Sequence, residues 1–253
     1  MRYTGDMALS PELQERLGKL IEQRDNYAYA SDQLQEKAFV AILGPTAVGK
    51  STLTNACLQE CRNRGISAGI GDTITTRDRR IGEDPPTYIT ANEGVTFESM
   101  IDQIERGELV NWSMHGTGHL YGSTPEAMVH DYTIAPIMPD SLPMMRSAGF
   151  AEVLAIYLAI PVEQWKQQLE LRQDDPKFVG RMSEAISELE YAKKHKNELA
   201  LLAIEHGEAP IHQKATEIID KLVNGEVLTS DLNALDLIDE MLTFARTMVN
   251  GNS

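Results

Sequence analysis

Two stretches of the chain combine residue types that handle phosphate. The first, GPTAVGKS at Gly44 to Ser51, sets a lysine and a hydroxyl directly after its second glycine. Glycines let a backbone curl with its N–H groups facing inward, and a helix starting at the loop adds partial positive charge. Polyphosphate is what fits such a cradle. In the pattern G-x-x-x-x-G-K-[ST], the loop formed by Gly44, Pro45, Thr46, Ala47, Val48 and Gly49 holds the phosphates, and Lys50 reaches the β- and γ-phosphates. The Ser51 hydroxyl ligates a Mg²⁺ ion bridging them, and Thr52 continues into the helix. A chance match in a chain of this length is on the order of 1%. The second stretch, TITTRDRR at 73–80, sets Arg77, Arg79 and Arg80 in four positions of a chain whose formal net charge is -15. Arginine offers a planar fork of donors that grips phosphate oxygens in pairs. Arg77 and Arg80, three apart, can converge on one dianion, with Arg79 left facing water.

The surrounding elements must position these groups. AFVAIL at 38–43 reads as a buried strand running into the glycine loop, and STLTNACLQECRNR at 51–64 as the helix leaving it. SPELQERLGKLIEQR at 10–24 opens with Ser and Pro and sets Leu13, Leu17, Leu20 and Ile21 on one stripe, an amphipathic helix. A short strand is expected near 66–71, a Pro-rich loop at GEDPPTY, a helix over TFESMIDQIERGE, an extended LVNW and a turn-rich GTGHLYGST. YTIAPIM and EVLAIYLAI read as strands, and 162–172 and 176–206 as helices. Further helical patterns lie at 212–223 and 230–249, the latter with an apolar stripe of Leu232, Leu235, Ile238, Met241, Leu242 and Ala245. Strands alternating with helices predict an α/β protein with a largely parallel central sheet flanked by helices.

Composition bounds the function. With 23 Lys plus Arg against 38 Asp plus Glu, the general field repels nucleic acid and anionic membranes. The start carries no basic segment leading into an apolar run, and no purely apolar stretch is long enough to span a bilayer, so a soluble, cytoplasmic protein is expected. Cys57 and Cys61, four apart on the loop helix, suit neither a zinc pair nor a redox C-x-x-C and read as free, buried or half-buried thiols. The loop motif alone leaves switch GTPases, motor ATPases and kinases open, although no N-K-x-D is present.

TTRDRRIGE followed by a tyrosine, TFESMIDQIERGELVNW and HLYGST together resemble the monophosphate lobe of guanylate kinases. The resemblance begins at GPTAVGKST and runs to RMSEAISELEYA at 181–192 in consistent order. It implies a core sheet holding ATP, a small mixed lobe holding a nucleoside monophosphate and a helical lid. Carried over by position, Thr73 matches a base-proximal serine, Arg77 and Arg80 the arginines on the acceptor phosphate, and Tyr88 and Tyr121 the tyrosines whose hydroxyls reach it. Ser123 matches the hydroxyl residue near the base, and Arg172 and Arg181 the lid arginines that fold onto the ATP phosphates. The implied division is an N-terminal helical extension over 1–37, a kinase-like domain over 38–209 and an acidic helical extension over 210–253. Within the domain, the lobe spans about 73–125 and the lid about 172–190. The reaction implied is ATP-dependent phosphorylation of GMP or dGMP, giving the diphosphate and ADP with Mg²⁺ as cofactor.

Three departures keep alternatives open. Asn111 stands where the family carries a guanine-reading glutamate, and an amide offers one acceptor and one donor instead of two acceptors. Altered base choice and retained guanine preference, supported by Thr73 and Ser123, both stand. Ala135–Met138 replace an acidic D-x-D, with Asp140 the nearest acid, and Gln168 occupies the place of a lid arginine. The alternatives are a same-fold kinase for another nucleotide or a phosphorylated sugar such as ribose bisphosphate, and a non-catalytic interaction module. His115 and His119 read as hairpin residues, and Trp112 and Trp165 as packing. The terminal helices could mediate homo-oligomerisation, cover the core or regulate the lid.

Overall fold

The computed structural model describes residues 9–27, 29, 32–79, 88–171, 178–205 and 207–250. In chain order the elements are α1 (Pro11–Gln23), β1 (Ala38–Leu43), α2 (Lys50–Asn63), β2 (Ala68–Gly69), β3 (Thr73–Thr75), β4 (Tyr88–Ile89) and α3 (Phe97–Glu105). There follow β5 (Asn111–Met114), β6 (Leu120–Ser123), β7 (Tyr132–Pro136), α4 (Leu142–Ser147), β8 (Glu152–Ala159), α5 (Val162–Glu170) and α6 (Phe178–Lys194). β9 (Ala200–Ala203), α7 (Glu208–Asn224) and α8 (Ala234–Asn250) complete the chain. The protein is α/β, with a five-stranded parallel sheet in the order β2-β7-β1-β8-β9 and a four-stranded mixed sheet in the order β4-β3-β6-β5. Among the described residues no helix is long and apolar enough to cross a membrane.

The chain divides into two compact units, one comprising Met1–Phe39, Gly69–Thr133 and Asp140–Val153, the other Val40–Ala68, Ile134–Pro139 and Leu154–Ser253. At the centre of the parallel sheet every residue of β1 is inaccessible or nearly so, as an uninterrupted apolar strand requires when helices cover both sides. α7 packs on α2, and α8 on α6 and α5. The C-terminal helices therefore cover this core, and each Ile or Leu so buried contributes roughly 1.5–3 kcal/mol.

Two expectations need correction here. The run read as helix to 206 leaves the helix at Lys194 and re-enters the sheet as β9, pairing in parallel with β8 through Ile156↔Ala200 to Ala159↔Ala203. ALLA is too short for its periodicity to separate strand from buried helix, and the sheet decides. The outer edge of β9 is met by side chains: the Leu201 N–H donates to Ser230 Oγ at 2.9 Å and the Ala203 N–H to Asp231 Oδ2 at 2.9 Å. The Asp231 N–H donates in turn to the Leu201 carbonyl at 2.8 Å, and Lys214 Nζ holds the Asp231 carboxylate at 2.9 Å. That bonding fixes the chain just before α8, so Leu232, assigned above to the apolar stripe, is 102% exposed, and Ala234 begins the buried row instead.

The first unit is built on the mixed sheet. β3 runs parallel to β4 and antiparallel to β6, and β6 is antiparallel to β5. The segment read as a turn-rich return is thus a hairpin: His115 N–H donates to His119 O at 2.9 Å, and Leu120–Ser123 form a strand. Ile74, Trp112 and Leu120 join Phe97, Met100 and Ile104 of α3 in one apolar cluster. Gly122 has to be glycine at this crossing, because a Cβ there would lie 2.7 Å from Leu109 Cδ1 and 3.1 Å from the Asn111 carbonyl.

The N-terminal helix belongs to this core. Ser10 caps it, accepting from Leu13 N–H at 3.3 Å, and Pro11 takes the first helical position, where its missing N–H costs nothing. Leu17 is buried in the cluster, whereas Ile21, expected on the same stripe, is 41% exposed. Arg16 reaches Asp102 at 2.6 Å and Glu105 at 2.6 Å on α3. Beyond the helix, the Tyr27 hydroxyl donates to the Leu109 carbonyl at 2.5 Å, and its ring meets Trp112 edge-on at 6.4 Å. Burial pushes the Tyr27 phenol up to about 12.

Candidate functional site

The glycine loop lies in the second unit, between the C-terminal end of β1 and the first residue of α2. Its curl rests on three residues with positive φ: Gly44 at 138°, Ala47 at 62° and Gly49 at 100°. Gly44 also needs its missing side chain, since a Cβ would meet Val48 Cγ1 at 3.0 Å and the Leu158 carbonyl of β8 at 3.1 Å. A Cβ on Gly49 would meet nothing within 4 Å, so there the requirement is conformational alone. Ala47 is the only non-glycine residue of the described chain with positive φ. Lys50 folds back over the loop, donating to the carbonyls of Gly44 and Pro45, the latter at 3.1 Å. Val48 N–H donates to the Pro45 carbonyl at 3.3 Å, and Gly49 accepts from Leu53 N–H at 3.0 Å as α2 begins.

Ser51 and Thr52 are exposed in the first turn of α2, while Thr54 turns inward and donates to the Lys50 carbonyl at 2.9 Å. Mg²⁺ keeps most of its waters and takes one or two protein oxygens beside substrate phosphates, so the open Ser51 hydroxyl fits that ion. The indole N–H of Trp165 on α5 donates to the Thr46 carbonyl at 2.8 Å. Trp165 is packed as expected, but its polar bond into the loop was not legible from its position in the sequence. Cys57 and Cys61, farther along α2, are buried and free, and burial pushes the Cys57 thiol up to about 12.

The other expected residues lie in the first unit, and strand alternation sorts them. Ile74, Gly122 and Trp112 stand in one cross-strand row, and Ile74 and Trp112 face the apolar cluster. Neighbours along each strand point to the opposite face. That face carries Thr73, Asn111 and Ser123, together with a row of Thr75, Tyr121 and Ser113, and Tyr88 beside Thr73. Sequence reasoning selected five of these seven; Thr75 and Ser113 follow only from the register. Thr75, Asn111, Ser113 and Ser123 are buried, and Asn111 Oδ1 has no hydrogen-bond partner among the described residues. A buried amide acceptor without a partner is costly, about 1–3 kcal/mol, which distinguishes Asn111 from its neighbours.

Arg77 is brought onto Tyr88, its guanidinium carbon 4.5 Å from the ring centroid, and it donates to the Asp78 carbonyl at 2.9 Å. Arg79 does not simply face water: its guanidinium pairs with Glu93 at 2.6 Å and its N–H donates to Asn92 Oδ1 at 2.7 Å. Glu93 also accepts from the Thr90 hydroxyl at 2.5 Å and the Thr90 N–H at 2.7 Å in a capping box. The Thr90 hydroxyl first, and then Arg79, hold the Glu93 carboxyl down at about 2. Before Arg77, the Thr76 N–H donates to the Leu120 carbonyl at 3.1 Å and the Leu120 N–H to the Thr76 hydroxyl at 3.0 Å, so polar bonds fasten the segment on both sides.

Arg80, the Pro-rich loop up to residue 87 and Arg172 lie outside the described residues. Arg181 is half-buried in the first turns of α6. Asp140, the acid nearest the missing D-x-D, forms an ion pair with Arg24. His115 turns its Nδ1 to the Thr117 hydroxyl at 3.2 Å and its ring to Tyr121 at 5.6 Å. No family model matches the chain, and no curated protein matches it significantly.

Proposed function

We propose that the protein is an ATP-dependent nucleoside-monophosphate kinase of guanylate-kinase type, acting on GMP or dGMP in the cytoplasm. The observation that carries this reading is the conformation of Gly44–Lys50, a loop curled by left-handed residues between a buried parallel strand and a helix N-terminus. The polar sheet face with Thr73, Asn111, Tyr121 and Ser123, flanked by Arg77 over Tyr88, supports an acceptor site for a small dianion carrying a base. Two buried, unpaired thiols agree with a reducing compartment.

In this reading an oxygen of the acceptor phosphate attacks the γ-phosphorus of ATP in line as the bond to the bridging oxygen of ADP breaks. Lys50 exchanges its loop carbonyls for the β- and γ-phosphates, and loop N–H groups take up the charge. Arg77, with Arg80, Tyr88 and Tyr121, orients the acceptor phosphate, and Arg172 and Arg181 neutralise the transferring group. Ser51 would hold Mg²⁺, which would supply further neutralisation of phosphate charge.

A second reading, the same chemistry with a different base, is favoured by Asn111, whose buried acceptor lacks a partner among the described residues. An acceptor panel of GMP, dGMP, AMP, UMP, CMP, dTMP and ribose bisphosphate with Mg-ATP, followed by ADP release, tests both. Turnover with GMP and dGMP supports the first reading and preference for another nucleotide the second. Turnover with ribose bisphosphate alone would overturn both in favour of a sugar-phosphate kinase. Mg-ATP binding with no acceptor above slow hydrolysis would leave an interaction module.

A further inference from the structure

The loop that the proposed function assigns to ATP is tied to the C-terminal helices through one side chain. Trp165 on α5 is fully buried, and its indole N–H donates to the Thr46 carbonyl at 2.8 Å across 119 positions of sequence. Phe244 of α8 meets the indole edge-on, with centroids 5.8 Å apart and planes at 74°, and the Lys166 ammonium lies 5.1 Å from the Phe244 centroid. The other tryptophan, Trp112, is as deeply buried, yet its indole N–H has no partner among the described residues. Burial in this fold therefore does not by itself bring an indole N–H to a carbonyl, and the bond from Trp165 is specific to the loop.

Its consequence follows from the planarity of the peptide unit. The carbonyl of Thr46 and the N–H of Ala47 belong to one trans peptide and point in opposite directions. Anchoring the carbonyl on Trp165 sends the Ala47 N–H away from α5 and fixes the plane about which Ala47 turns into φ 62°. That is a conformation residues with a Cβ adopt reluctantly. Glycine would reach it freely, and this loop has alanine there, so contacts must hold it, and Trp165 supplies one from outside the loop.

We propose that Trp165, backed by Phe244, is a positioning residue that sets the Thr46–Ala47 peptide and so organises the loop for polyphosphate before it arrives. Helix α8 thereby forms part of the nucleotide site without touching the nucleotide. The inference rests on the phosphate-loop reading given above.

The test is calorimetric titration of Mg-ATP into the full-length protein and its Trp165→Phe, Phe244→Ala and Trp165→Phe/Ala47→Gly variants, with steady-state kinetics on the acceptor the panel identifies. Trp165→Phe keeps an aromatic ring and removes the donor. It should raise the Mg-ATP Kd about tenfold, the scale of one hydrogen bond, while the acceptor KM stays within about twofold of wild type. Phe244→Ala, which leaves the indole in place, should raise the Kd about threefold, and it carries the test alone if Trp165→Phe fails to fold. Ala47→Gly in the Trp165→Phe background should recover most of the lost affinity, which a merely structural role for the indole would not produce. Wild-type affinity in Trp165→Phe, equal damage to ATP and acceptor binding, or no recovery on adding glycine each overturns the inference alone. Failure of the wild-type protein to bind Mg-ATP overturns the phosphate-loop reading and this inference with it.

Discussion

The two glycines of the loop between β1 and α2 make different demands, and the difference can be measured. Gly49 has φ 100° and open space within 4 Å of the place a Cβ would occupy, so Gly49→Ala incurs only the backbone cost of a left-handed L residue. That cost is about 1–2 kcal/mol, and the loss of unfolded-chain freedom returns about 0.4–1 kcal/mol. The net destabilisation is about 1 kcal/mol. Gly44→Ala carries a similar backbone cost at φ 138° and also drives a methyl to 3.1 Å from the Leu158 carbonyl, a backbone atom of β8 that cannot swing aside. Overpacking of this kind adds about 1–3 kcal/mol, for a total of about 2–4 kcal/mol. With a urea slope of about 2.5 kcal/mol/M for a chain of this size, the midpoint should fall by about 0.4 M for Gly49→Ala and by about 1 M or more for Gly44→Ala. Urea denaturation followed by far-UV circular dichroism, with unchanged slopes, is the assay. Equal midpoint shifts, or a larger one at Gly49, would refute the separation of conformational from steric cost.

Lys50→Ala and Arg77→Ala should each reduce phosphoryl transfer about 10²-fold or more, the scale of a positioned charge stabiliser; transfer near the wild-type rate in both variants would remove these residues from the site. Tyr157 is fully buried on β8, and its hydroxyl has no partner among the described residues. Tyr157→Phe should therefore stabilise the fold by about 1 kcal/mol, read as a rise in the urea midpoint, and a fall would show that the hydroxyl is satisfied in solution. Glu93, held at about 2 against an ordinary 4.5, makes the Thr90–Glu93–Arg79 cluster contribute stability that is complete above its ordinary value and fades as pH falls toward 2. Its carboxyl carbon in an NMR titration should show a midpoint near 2 that rises in Thr90→Ala; a midpoint near 4.5 in the unmodified protein would contradict the cluster.

Legibility in the sequence followed the range of the forces involved. The curl of the glycine loop was readable because its requirements are local: left-handed turns at glycines within eight consecutive residues, between an apolar strand and a helix. Helix α1 was readable for the same reason, its cap and first-turn proline being adjacent. The strand β9 was not, because four apolar residues carry no period of their own and only pairing with β8 makes them extended. Arg79 was misread as solvated since its partner, Glu93, lies 14 residues away, and the ion pair depends on how the chain returns. The polar face of the mixed sheet was mostly readable: the resemblance supplied Thr73, Tyr88, Asn111, Tyr121 and Ser123, but register alone adds Thr75 and Ser113. Trp165 lies 119 positions from its acceptor, and the only hint in the sequence is that a core tryptophan brings a polar N–H with it.

The contacts of Ser230 and Asp231 along β9 close one edge of the parallel sheet. Unpaired edges invite addition of another extended chain, from a second molecule as readily as from the same one. Here the hydrogen-bonding positions of Leu201 and Ala203 are filled by a serine hydroxyl and a carboxylate, groups that accept a bond but offer no further row of amides beyond them. The sheet ends at this point for want of a template. Two side chains do the work of a sixth strand, and Lys214, clasping Asp231 from α7, keeps the stopper seated.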